Sequence, residues 1–323
     1  MARYQQGVAL ITAMLVVALA AIAAVAMATR QQLDIHRTAS LLHGEQAYSY
    51  VLGAESWAQV VLARDLRESG IDTLEEDWST QPPVSFVEGG AIFGRIIDLQ
   101  GRFNVNNLVA AGGVPDKDAI DRFTRLLRLL ELDETLAAAL VDWIDENIDV
   151  RFPDGAEDET YMLLDTPYRA ANQPLADISE LRLVKGYSAE VIEKLRPFIV
   201  ALPEVTPVNV NTASAEVLST VAEDLSTSDG EKLVEARGEE GFESVDSFTQ
   251  DPTLNAKDVT KASLSVTSQW FLMVSEADIG QGRARLASLI QRDTRGVLVV
   301  RRQREFVEVI VPEEDVEDEQ GSP

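Results

Sequence analysis

Cysteine is absent from the 323 residues, and histidine is nearly so, with His36 and His43 alone. The first absence excludes disulfides, thiol catalysis and thiolate metal sites. It leaves the compartment open, because oxidising compartments tolerate cysteine-free proteins. Two histidines near the N-terminal end are too few for most histidine-based metal sites or triads. Bases are scarce as well: 28 Lys+Arg stand against 54 Asp+Glu, a net charge of -26. Such a chain repels phosphate backbones, so nucleic acid is an unfavourable partner. Hard cations, bound through oxygen, suit it better.

Enzyme signatures are missing too. There is no GxSxG, no HExxH and no Walker A loop. Gly280-Gln281-Gly282 lacks the third glycine and the strand-helix setting of a dinucleotide loop. Paired acids such as Asp142 and Asp145 offer acid/base groups in principle, but no oriented nucleophile accompanies them. The chain therefore reads as a non-enzyme. An apolar share of 46% argues for a folded protein, and the length suggests about two domains.

What is present begins with an uncharged run from Val8 to Thr29, long enough to cross a bilayer at roughly 20 residues per span. Three readings compete: a secretory signal cut near Ala26-Met27-Ala28, a plain single-pass anchor, and a leader whose short polar head is removed while the helix stays. The sequence after Thr29 favours retention. From Arg30 to Glu68 there is no proline, and Val51, Ala54, Ala58, Val61 and Leu62 recur at helical spacing. One helix from Val8 to about Arg67 is expected, with Gly70 as its stop. Arg3 before the span is matched by Arg30 and Arg37 after it, so charge does not set orientation.

Beyond a linker-like stretch with Pro82, Pro83, Gly89 and Gly90, residues Ala91–Leu99 read as a strand. Asp121–Leu130 reads as an amphipathic helix, with Phe123, Leu126, Leu127 and Leu130 inward and Arg122, Arg125 and Arg128 facing solvent. Another helix runs from Asp133 or Glu134 through Trp143. Ser179–Val184 and Ser188–Ile199 read as two more, each opened by a capping serine. From about Leu264 the period changes to strands at Trp270–Ala277, Arg283–Gln291 and Val297–Arg302, with turns between them. If the strand at 91–99 joins this meander, residues 104–262 are an insertion into one sheet. The class is α+β. The tail from Glu305 to Pro323 carries eight acids and no base, and its last residues are expected to be disordered.

Gln6-Gly7-Val8-Ala9-Leu10-Ile11-Thr12 resembles the leader of a type II secretion pseudopilin. In that family a prepilin peptidase cuts after the glycine and methylates the new N-terminus, which implies cleavage between Gly7 and Val8 and N-methylation of Val8. Most members carry Glu at mature position five. Thr12 stands there, a departure that resembles the K-type minor pseudopilins (GspK), and the resemblance covers essentially the whole chain. It implies a pilin-like ladle, a long helix packed on an antiparallel sheet, with a large inserted helical domain. The expected division is a leader at 1–7, a membrane half-helix at 8–29, the outer helix and first strands at 30–103, the inserted domain at 104–262, the remaining strands at 263–312 and an acidic tail at 313–323. It also implies a single-pass protein of a Gram-negative inner membrane with its bulk in the periplasm, capping the tip of the pseudopilus that exports folded proteins. The implied partners are the I- and J-type minor pseudopilins, with the H-type and the major pseudopilin as further candidates.

The acids concentrate. Residues 131–165 hold 12 acids and one base, Arg151. Asp145, Asn147 and Asp149 have the alternate spacing that opens a calcium loop. Glu157 lies one place beyond the bidentate position of an EF-hand, and Val150 stands where its glycine belongs, so this is no standard EF-hand. A solvated acidic loop and a cation site both fit the residues. K-type pseudopilins bind calcium, and their DWID…GAED motif matches Asp142–Asp145 and Gly155–Asp158. The resemblance thus implies a Ca2+ site among Asp142, Asp145, Asn147, Asp149, Asp154, Glu157 and Asp158.

Val208–Leu218 resembles the start of a helix-hairpin-helix repeat, and Glu180–Phe198 a degenerate second copy. Working DNA-binding versions offer glycine-rich backbone amides to phosphate. Val221-Ala222-Glu223-Asp224-Leu225 occupies that place with two acids and no glycine, so a scaffold role is expected. Two other classes remain: a membrane-tethered periplasmic module binding calcium or substrate, and, more weakly, an acidic hydrolase.

Overall fold

A computed structural model describes residues 5–80 and 84–304. Helix α1 runs Gln5–Glu68, 64 residues, or roughly 96 Å at ~1.5 Å per residue. Its large apolar side chains from Val8 to Leu42 are exposed, whereas Ala47, Val51, Ala58, Val61 and Leu62 are buried. One continuous helix therefore has two solvents: a bare apolar span, then a stripe packed on a sheet. The last turn closes with Ser69 N–H donating to Asp65 O, just before Gly70.

That sheet is antiparallel, in the order β1 (Ser85–Val87), β2 (Gly90–Asp98), β3 (Trp270–Ile279), β4 (Gly282–Asp293), β5 (Gly296–Gln303). Strand β1 lies in the stretch read as a linker. It pairs with β2 through a turn in which Gly89 takes φ +87°, a region that favours glycine. Strands β2 and β3 are neighbours, Gly90 opposite Ile279 and Asp98 opposite Phe271. The chain between them leaves the sheet and returns, as the meander reading requires. Leu286, Ser288 and Ile290 of β4 are buried, but so are Ala287 and Leu289. Leu289 is covered on the other face by Leu99, Val200, Leu202 and Trp270, where the insertion packs on the sheet.

The turn after β3 touches α1 at His43: Gln281 N–H donates to His43 Nδ1 at 3.2 Å. The opposite end of the sheet meets the C-terminal end of α1, where Arg292 Nη1 donates to Asp65 at 2.5 Å. The insertion leaves and re-enters at this second end, farthest from the bare apolar span.

The insertion has two cores. The first gathers Phe103, Phe123, Leu126, Leu127, Leu140, Trp143, Tyr161, Leu181 and Leu195. Around it lie α2 (Lys117–Leu129), α3 (Leu136–Ile144), α4 (Asp158–Tyr161), a 3-10 turn at Ile178–Leu183 and α5 (Ala189–Leu195). The second gathers Val208, Val210, Val217, Leu218, Leu233, Phe248 and Leu264, within α6 (Ala215–Leu218), α7 (Thr227–Arg237) and α8 (Val245–Thr249). Each lobe opens on the same three residues. Asn104-Val105-Asn106 and Asn209-Val210-Asn211 both fold so that the first amide oxygen accepts from the N–H two residues on, at 3.1 and 3.0 Å. Each leading asparagine ends a short strand and satisfies a buried N–H of the turn that follows, Asn104 as the N-cap of a 3-10 turn at Val105–Leu108.

Three expectations need correction. Arg122 does not face solvent: it is 4% exposed, lies 6.0 Å from the Phe103 ring and donates through Nη1 to Ser263 O and Oγ at 3.3 and 2.8 Å. It fills the seam between the lobes, because the second lobe covers the helix face that the period alone assigns to water. The 3-10 turn at 178–183 is capped by Asp177, not Ser179, through a capping box with Glu180. Helix α5 keeps its Ser188 cap but ends at Leu195. Pro197 follows, and Ile199–Val200 pair in parallel with Phe103–Asn104 instead. The expected disorder of the tail's last residues lies outside the described residues.

Candidate functional site

Helix α3 carries Asp142 and ends at Ile144, so Asp142 projects from the last turn and Asp145 follows as the C-cap. The chain loops out and returns to Glu157, the N-cap of α4. Asp142 is the hub. Its Oδ2 accepts from Arg151 N–H at 3.0 Å and Ala156 N–H at 2.9 Å. Gly155 is required here, since a Cβ would sit 2.0 Å from the same oxygen. Trp143, Tyr161 and Tyr168 pack together beside these acids, with ring centroids 5.1 Å apart for Trp143–Tyr161 and 5.4 Å for Tyr161–Tyr168.

Asp142, Asp145 and Glu157 are all buried, at 0%, 1% and 2% exposure. Asp142 Oδ1, Asp145 Oδ1 and both Glu157 carboxylate oxygens lie buried without a hydrogen-bond partner. The nearest base, Arg151, comes only to 3.9 Å from Asp142 Oδ1. Burial raises all three carboxyls. At Asp142 the amides of Arg151 and Ala156 oppose it; at Asp145 the charge of Asp142 adds to it. Glu157 is pushed up to about 7 by desolvation and then by Asp142, Asp145 and Asp158.

The other predicted ligands are placed differently. Asn147 and Asp149 are exposed, and Asn147 Oδ1 accepts from Asp149 N–H at 2.7 Å, so the loop turns back on itself there. Asp154 is half-buried; Lys185 Nζ donates to its carbonyl at 3.4 Å. Asp158 accepts from Ala170 N–H at 3.0 Å and lies 3.7 Å from Arg169. Of the seven predicted residues, Asp142, Asp145 and Glu157 are the buried carboxylates with unpartnered oxygens. Residues Gly7 and Val8 lie in the first turns of α1.

Two acid clusters escaped sequence reasoning. Asp65, Asp72 and Glu76 are the one group among the described residues whose ligand oxygens all lie within 4.8 Å of one another. Arg292 already occupies it, donating to Asp65 and Asp72, while Glu76 accepts from Trp78 Nε1 at 2.8 Å. It reads as an ion-pair lock between α1 and β4. The second is Asp98, which accepts from Gln100 N–H, Ser268 Oγ, Thr212 Oγ1 and Asn209 Nδ2, and which burial pushes up to about 6. It joins the sheet to the second lobe. Its sequence signal was faint: one acid at the end of an apolar strand.

The helix-hairpin-helix segments fold as α6 and α7 around Val221–Leu225 and, in the first lobe, as the 3-10 turn and α5 around Gly186 at φ +88°. In the former, Lys257 Nζ donates to the carbonyls of Glu223 and Asp224 at 3.0 and 3.2 Å. The hairpin faces out with two acids.

Family models described as type II secretion system (T2SS), protein K, match residues 101–204 and 208–267, together more than half of the chain. The chain belongs to the type II secretion system protein K family. Protein K of Pseudomonas aeruginosa is 41% identical over 93% of this chain and 92% of its own length. That of Klebsiella pneumoniae is 36% identical over 92% and 96%. The fold matches a chain of the GspK-GspI-GspJ complex of the type 2 secretion system of enterotoxigenic Escherichia coli, with a TM-score of 0.76 and 31% identity over 84% of this chain and all of that one. As a member of the protein K family this is a minor pseudopilin of type II secretion, with the long helix, antiparallel sheet and helical insertion of that fold.

Proposed function

We propose that this minor pseudopilin sits in the inner membrane through Val8–Thr29, with its bulk in the periplasm, and caps the tip of the pseudopilus that helps export folded proteins. The observation that carries this is the placement of the two-lobed insertion at the sheet end farthest from the apolar span. On this reading the insertion stands over the end that would face a subunit above. Thr12 supports the reading. Its hydroxyl turns back onto its own helix, 3.1 Å from Val8 O and 3.0 Å from Ala9 O. It supplies no carboxylate to a neighbour's terminal amine, a pairing that a charge in lipid needs. After cleavage at Gly7–Val8 and methylation of Val8 by the prepilin peptidase, the subunit joins I- and J-type minor pseudopilins, as the related GspK does in its complex with GspI and GspJ. The role is structural rather than catalytic.

The three buried carboxylates fit a Ca2+ ion. Their free oxygens are hard donors, and burying such charges without a partner is costly. Asp142, Asp145 and Glu157 would hold the ion, with Asp158 beside them, and it would supply the positive charge that Arg151 does not. The oxygens are spread more widely than in the Asp65 cluster, so binding draws the loop inward. Co-purification of the full-length chain with I- and J-type partners tests the assembly role. Recovery of this chain alone, with partners that otherwise pair with each other, contradicts it.

A further inference from the structure

The loop around the buried carboxylates has an unusual outer face. Ile148 is 73% exposed, Phe152 92% and Leu163 87%; Val150, Met162 and Leu164 are 44–50% exposed. They belong to two short segments: 148–152, between Asp145 and Glu157 in the chain, and 162–164, which follows Glu157 and α4. The first is held by Asp142 through Arg151 N–H. The second leaves α4, with Met162 N–H on Asp158 O and Leu164 N–H on Tyr161 O. So much bare apolar surface on one small loop system marks an interaction face rather than scattered exposure.

The charges among these side chains define what can cover it. Glu146, Asp149, Glu159 and Asp165 are exposed between them. The single base of residues 131–165, Arg151, is half-buried toward Asp142. An anionic lipid surface or an acidic protein is repelled, and so is a second copy of this chain at net charge -26. We propose that this face docks a protein segment in which Lys or Arg alternates with apolar side chains. Its apolar groups meet Phe152, Leu163 and Ile148, and its cations meet Glu146, Asp149 and Glu159. The proposal goes beyond the assembly role and does not need the metal.

The test uses the full chain in the assembled secretion system of living cells. A photoreactive benzoylphenylalanine replaces Phe152 or Leu163 in turn. A third strain carries it at Phe86, which is 86% exposed on β1 and serves as a control. The proposal expects light-dependent protein adducts from positions 152 and 163. The crosslinked peptides, mapped by mass spectrometry, should be richer in Lys and Arg than those from position 86. Adding Glu146→Lys and Asp149→Lys should bring the adducts down to the control level while the melting temperature of the purified chain stays unchanged. No adducts above control, adducts to lipid, adducts to acidic or neutral segments, or adducts indifferent to the charge reversals would each overturn it.

Discussion

Arg302 holds Glu55 with one edge of its guanidinium, Nε and Nη2 each 2.8 Å from a carboxylate oxygen. The two are 247 residues apart, on β5 and in the sheet-packed C-terminal part of α1. Glu55 is buried, and Ser288 Oγ donates to it as well at 2.5 Å. Burial pushes its carboxyl up, but the bonds from Arg302 and Ser288 outweigh burial and leave it below the ordinary value. Arg302→Ala should therefore cost about 1.5–3 kcal/mol, the range for a hydrogen bond to a charged group. A group with a lowered folded pKa stabilises above its unfolded value near 4.5 and loses that as pH falls through the folded value. Urea unfolding at pH 7 and pH 3.5 should show the variant's deficit at neutral pH and a smaller one in acid.

Asp98 works in the opposite sense. Its folded pKa of about 6 lies above the unfolded 3.8. Its contribution is complete below about 4 and is lost as pH rises through 6. Asp98→Asn should flatten that part of the stability profile. It should also cost stability at pH 5, since the new NH2 group faces a donor at either position, Gln100 N–H in place of Oδ1 or Asn209 Nδ2 in place of Oδ2. A variant profile parallel to the wild type between pH 4 and 7 would show that Asp98 is not the titrating group.

Glu157→Gln separates a metal site from a merely acidic loop. With calcium at 100 times its dissociation constant, the wild type should gain about 2.7 kcal/mol. The variant should lose most of that rise in melting temperature. In chelator, Glu157, raised to about 7, favours the fold below about 4.5 and ceases to do so as pH climbs past 7. The metal-free wild type should thus weaken between pH 5 and 8, and the variant should weaken less. Equal melting with calcium and chelator in the wild type refutes the cation.

Intact-mass measurement of the mature protein should give a chain starting at Val8 and carrying one methyl group. Gly7→Val should leave the precursor uncut. A start near Thr29 would instead mean a secretory signal.

Gly230 of α7 is packed where a Cβ would come within 2.1 Å of Ala215 O and 2.4 Å of Ser219 Oγ. Gly230→Ala should separate α6 from α7 at a cost of about 1–3 kcal/mol, seen as a lower thermal midpoint. A midpoint at or above the wild type would mean that the helices part freely.

The helix, the sheet order and the place of the insertion were legible because each rests on a period or on a turn between periods. Ala284, Leu286, Ser288 and Ile290 alternate because one side of β4 faces α1. Arg122 was not legible: its cover comes from a lobe that begins beyond residue 200, and no local pattern records that. The acid loop was legible as a concentration of charge. Its division into three buried carboxylates and four outlying residues was not, because that depends on Asp142 catching the amides of Arg151 and Ala156. Glu55 carried a weak signal, as the lone acid in the stripe of Val51, Ala54 and Ala58.

Strands β2 and β3 lie side by side, yet residues 99–269 separate them in the chain. During synthesis α1 and β2 emerge long before β3 and β4 exist to complete the sheet. Until then Ala47, Val51, Ala58 and Leu62 have nothing to cover them but solvent or another protein. Pairing across so long a loop is slow, because its closure entropy must be overcome before any distant contact forms. The half-made subunit is thus sticky for as long as translation and folding of the two lobes take. A cell short of chaperones should lose this subunit to proteolysis sooner than it loses a variant in which a short turn joins β2 directly to β3.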